Sequence, residues 1–102
     1  MPFKEIKKRD NFLRLTRYDK EGFILIPPLF RKHFGGKVKL LFDPENNLIA
    51  LQPSDAVDDY PTSRYRVWCT NFFKEYGINT QQVEAKWDPN RKYLVAKILR
   101  EE

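Results

Sequence analysis

A chain of 102 residues, 41% hydrophobic and 15% aromatic, can enclose one compact core and is too short for two ordinary domains. No run of eighteen apolar residues occurs and no apolar stretch follows the charged start, so neither a membrane-spanning helix nor a signal peptide is expected. Cys69 is the only cysteine, which excludes an intrachain disulfide and points to a reducing cytoplasm. The net charge of +5 is uneven: residues 1–40 hold eleven Lys and Arg against four acids, residues 41–102 eight against ten. Such a basic end suits a polyanionic partner.

In chain order, residues 1–11 form a charged arm or marginal strand, with Lys4, Lys7, Lys8 and Arg9 around the isolated apolar Phe3 and Ile6. Phe12, Leu13 and Leu15 open a strand running to Tyr18. Asp19-Lys20-Glu21-Gly22 is a turn signal, its glycine free to take positive φ, and Phe23 to Ile26 is a β-prone run. Pro27-Pro28 stops that strand and suits the first turn of a helix. The helix covers Leu29 to Phe34, with Phe30 and Phe34 on one face and Arg31 and Lys32 elsewhere, and Gly35-Gly36 offers a left-handed cap.

Val38, Leu40 and Phe42 then alternate with Lys37, Lys39 and Leu41, Asp43 to Asn47 turns the chain, and Leu48 to Gln52 returns. Residues 54–61 are an acidic connector with Asp55, Asp58 and Asp59, read as a helical turn or a loop. A helix is expected from Thr62 or Ser63, its stripe formed by Tyr65, Trp68, Cys69, Phe72, Phe73 and Tyr76, with Gly77 as terminator. Val83, Ala85 and Trp87 mark a further strand, Asp88-Pro89-Asn90-Arg91 a turn, and Tyr93 to Leu99 the last strand. Both halves thus run helix, glycine, strand, Asp-Pro turn, strand, an internal pseudo-repeat in pattern. The fold class expected is α+β.

Catalytic chemistry is poorly supplied. His33 and Cys69 are each alone of their kind, no phosphate-cradling glycine loop occurs, and Asp58-Asp59 sits in a polar connector. No enzyme, metal or cofactor is expected.

The stretch from Arg17 to Gly35 reads strand, Asp-x-x-Gly turn, strand ending in Ile-Pro, then a short helix of the form Phe-Arg-Lys-x-Phe-Gly. It resembles the swapped-hairpin DNA-binding domain of the AbrB, SpoVT and MraZ transcription factors over about residues 13–53. The resemblance implies a homodimer whose two chains interleave their hairpins into one β-barrel, presenting arginines of strand, turn and helix to DNA. Carried over by position, Arg31 and Lys32 match the basic pair of the helix, Arg17 a basic site on the first strand, Asp19 and Gly22 the turn, and Pro27 the helix-starting proline. The family's arginine after the turn glycine is Phe23 here, leaving Lys20 or Arg14 to supply that charge. The expected organisation is an AbrB-like unit at 1–53 (strand-turn-strand-helix-strand-strand) followed by a helix–hairpin extension at 54–102, which resembles no family.

The function expected is duplex-DNA binding, as a transcriptional regulator, through Arg14, Arg17, Lys20, Arg31, Lys32 and Lys37. Arginine and lysine neutralise phosphates and release counterions, and arginine can read guanine in the major groove. A protein-interaction module is the alternative, antitoxin-like or binding a host factor through the aromatic residues of 62–102. RNA binding is a third, with Trp68, Trp87, Tyr93 and Phe72 as stacking candidates.

Overall fold

Alternating burial along short strands sets the architecture of the computed structural model, which describes residues 2–4, 10–57 and 59–100. The strands are β1 (Phe12–Arg17), β2 (Gly22–Leu25), β3 (Lys37–Asp43), β4 (Leu48–Ser54), β5 (Tyr60–Ser63), β6 (Arg66–Trp68), β7 (Gln81–Asp88) and β8 (Tyr93–Lys97). A 3-10 segment, Pro28–His33, joins β2 to β3, and α1, Thr70–Tyr76, joins β6 to β7. Of the expected arm, Ile6, Lys7, Lys8 and Arg9 lie outside the described residues, as does Asp58 of the connector.

The α+β expectation is overturned. The strands close an antiparallel barrel in the order β1-β2-β6-β5-β3-β4-β8-β7, with β7 returning to β1. The second half is no helix-and-hairpin appendage: β5 and β6 insert between β2 and β3, and β7 and β8 between β4 and β1. Strands of the two halves therefore interleave within one chain.

The expected helix start at Thr62 or Ser63 is also corrected, because residues 60–68 form a hairpin. Ser63 pairs with Arg66, and Arg64 and Tyr65 between them take φ values of 52° and 62°. Positive φ at both central residues is the geometry of a two-residue turn matched to strand twist. Thr62 and Val67 pair on the inner side, and Val67 and Cys69 enter the core. The helix begins only at Thr70, and Gly77 closes it with φ 64°, its N–H donating to Phe73 O.

One core fills the barrel. Leu13, Leu15, Ile24, Val38, Ile49, Leu51, Val67 and Leu94, from the inner rows of β1, β2, β3, β4, β6 and β8, are fully buried. Phe30 and Phe34 from the 3-10 segment and Phe72 and Phe73 from α1 join the same cluster. Gly35 and Gly36 take no left-handed cap; Phe34 ends the 3-10 segment in extended conformation, its N–H donating to Arg31 O.

The two halves share more than element order. Asp43 Oδ1 accepts the N–H groups of Glu45 and Asn46, and Asp88 Oδ1 those of Asn90 and Arg91. Asn47 and Lys92 then both turn at φ 56°. Ile26 N–H donates to Tyr65 O while Cys69 N–H donates to Gly22 O, so the contact between β2 and β6 is reciprocal. A pseudo-twofold relation therefore runs between β2 and β6 on one wall and between β4 and β8 on the opposite wall.

Candidate nucleic-acid interface

Residues paired directly across antiparallel strands point to the same face. Because Leu13, Leu15, Ile24 and Val67 point inward, the alternate residues of β1, β2 and β6 form two rows on the outer wall. One row is Arg14–Leu25–Arg66 and the next is Thr16–Phe23–Trp68. Arg14 and Arg66 are exposed on either side of Leu25, with one strand between theirs, about 10 Å at ordinary strand spacing.

Arg31 reaches the same neighbourhood from the 3-10 segment. It lines, with Phe12, Arg14, Leu25, Pro27, Pro28 and Gln82, a groove of about 410 Å³. Its Nε donates to Ile26 O at 3.0 Å, and its guanidinium carbon lies 4.8 Å from the Tyr65 ring centroid. That anchor holds a long side chain in one place and leaves the outer nitrogens of the fork for a ligand. Arg66 lies over the Phe23 ring at 5.3 Å, so a cation does stand where the sequence puts an aromatic residue after the turn glycine. Among the described residues no ion pair engages Arg14, Arg31 or Arg66.

The other expected DNA contacts are dispersed. Arg17 and Lys20 line a shallow depression with Tyr18, Asp19 and Glu21, where two acids accompany the two bases. The Arg17 guanidinium also donates to Ile78 O at 3.2 Å. Lys32 is exposed on the 3-10 segment. Lys37 opens β3, beyond β5, and its Nζ donates to Val57 O at 3.2 Å. The structure thus brings Arg14 and Arg31 to one groove, and Arg17, Lys20, Lys32 and Lys37 lie outside it.

Aromatic residues border the arginines. Phe23 and Trp68 pack with ring centroids 4.9 Å apart, and Tyr18 lies 6.1 Å from Phe23. Trp68 remains 39% exposed, Tyr65 41% and Tyr18 57%. Of the residues expected to stack bases, Phe72 is buried, and Trp87 is engaged by His33, whose ring stacks on it at 3.9 Å. Arg66, Tyr65 and Tyr18 were not singled out in the sequence as ligand contacts. The signal that could have found them is the run Arg64-Tyr65-Arg66-Val67-Trp68-Cys69, whose Val67 and Cys69 alternate as strand residues do.

Cys69, the one thiol, is buried, and burial pushes its pKa up to about 12. It belongs to the core and not to this face. Among the described residues no group of three or more His, Cys, Asp or Glu is placed to hold a metal ion, and no helix is long and apolar enough to cross a membrane. Comparison of the chain with family models, with curated proteins and with solved structures found no match.

Proposed function

We propose that the protein is a cytoplasmic DNA-binding protein, acting in transcriptional control, that grips duplex DNA on the outer wall of β1, β2 and β6. The observation that carries this reading is the gathering of Arg14, Arg31 and Arg66 around Leu25 without a carboxylate partner among the described residues. Three guanidinium groups on a rigid wall can each take a phosphate, and each contact releases about one counterion. Phosphate contacts position a protein on DNA, and an arginine that enters the major groove adds base recognition.

Fluorescence anisotropy with a pool of random duplexes tests the reading. Affinity is expected to fall steeply between about 50 and 200 mM salt. Arg14→Ala and Arg66→Ala should each flatten the log–log salt dependence by about one while leaving the melting temperature unchanged. Wild-type protein that ignores the duplex pool at low salt would overturn it.

A second reading, a protein-binding module, rests on the opposite wall. There Leu41, Ala50 and Val95 form one row across β3, β4 and β8, and Leu48 beside them is exposed. Exposed Leu41 and Leu48, with the half-buried Val95, give this wall the apolar character of a protein-contact surface.

A further inference from the structure

Resting on the DNA reading above, we infer that the exposed rings of the same wall, Tyr18 and Trp68 beside Phe23 at one end and Tyr65 against Arg31 at the other, receive unpaired bases, so that the preferred ligand is duplex DNA carrying a short unpaired segment. Three observations lead there. The rings are exposed beside arginines: Trp68 stands next to Phe23 under Arg66, and Tyr65 lies against Arg31. An aromatic face bordered by cations is the chemistry that binds single-stranded nucleic acid, the rings stacking bases and the cations tracking the backbone. A fully paired duplex hides its base faces and cannot use those rings.

The second observation is conformational. Arg64 and Tyr65 sit at φ 52° and 62° in the β5–β6 turn. Glycine or asparagine adopts that backbone freely, whereas a bulky side chain there raises the energy of the fold. The turn therefore presents a guanidinium and a phenol ring at a cost in stability, and strain of this kind collects where side chains contact ligands.

The third is the placing of charge. Arg14 and Arg31 line one groove at the Leu25 end of the wall, where Tyr65 lies against Arg31, and Trp68 and Tyr18 stand at the Phe23 end. A strand held by its phosphates on the arginines would pass its bases over the rings. The row of cations suited to the backbone thus runs between stacking surfaces at the two ends of the wall.

The test compares three DNAs of equal length by anisotropy: a fully paired duplex, the same duplex with a central bubble of four mismatched pairs, and the single strand. Wild-type protein is expected to bind the bubble roughly tenfold or more tighter than the duplex, the range that stacking of one or two bases supplies. Tyr65→Gly relieves the positive-φ strain, so it should raise the unfolding midpoint while erasing the bubble preference. Trp68→Leu should erase the preference in the same way. Equal wild-type affinity for bubble and duplex would overturn the inference and leave the duplex reading standing, as would a preference that survives both substitutions. Binding to none of the three DNAs would overturn both.

Discussion

Gly22 shows how a residue can be placed correctly in a sequence and explained wrongly. The Asp-x-x-Gly pattern suggests a glycine needed for positive φ, but Gly22 does not adopt it. What it supplies is room: a Cβ there would lie 2.8 Å from Cγ of Phe73 and overlap the ring. Phe73 comes from α1, fifty residues on in the sequence to the nearest ten, and no local pattern announces that contact. Gly22→Ala is expected to cost about 1–3 kcal/mol, since the buried ring must shift in a filled core. Gly35→Ala, at a position with open space around the would-be Cβ, is the control and should change little. Urea unfolding of the two variants separates these outcomes.

At the scale of elements, the hairpins with Asp-Pro turns were legible and the hairpin between them was not. Val38, Leu40 and Phe42, and later Val83, Ala85 and Trp87, alternate over seven- and eight-residue strands, long enough for a period of two to stand out. β5 and β6 have only four and three residues, and their apolar positions run straight into those of α1. Tyr65, Trp68, Cys69 and Phe72 then fall at helical spacing by accident of that junction. The turns carry a pH signature. The Asn46 side-chain amide, 2.8 Å from Oδ2, and the backbone N–H groups of Asn46 and Glu45 hold the Asp43 carboxyl below its ordinary value near 3.8. A lowered folded-state pKa contributes stability above the unfolded value, lost as pH falls through the lower folded one. The gap in urea midpoint between wild type and Asp43→Ala should therefore hold steady from pH 7 to about 4 and narrow below it. A gap that widens on acidification would contradict this account.

For the molecule as a whole, the sequence suggested one half of the design. Residues 13–53 read as a unit that needs a partner to complete its barrel, and the pattern of residues 62–99 already hinted at a repeat. What stayed hidden is that the second half supplies the missing strands, because its turn at Arg64-Tyr65 has no glycine and the strands on either side of it, β5 and β6, have only four and three residues. The candidate site was legible in part for the same reason. Arg14 and Arg31 lie in the stretch that could be read, and Arg66, Tyr65 and Trp68 in the stretch mistaken for one long helix. The two halves also differ where they are related: the positions flanking the Ile24–Val67 pair hold Phe23 and Leu25 on β2 but Arg66 and Trp68 on β6. A twofold-symmetric dimer matches a palindromic target. On the proposed DNA reading, a face with unlike side chains at related positions is expected to favour an asymmetric target over a palindromic one.

The interleaved strand order has a consequence for synthesis. When the ribosome has released residues up to Ser54, β2 and β4 each still lack the neighbour that will cover one edge, since β6 and β8 come later. Uncovered edges are templates for wrong pairing, so the nascent first half is the form most prone to aggregate. A peptide ending at Ser54 is expected to show no cooperative melting by circular dichroism, and adding a peptide that begins at residue 57 should restore it at equimolar ratio. Proteins cut in this manner and rejoined by their own complementary strands behave as conditional switches, on only when both pieces meet.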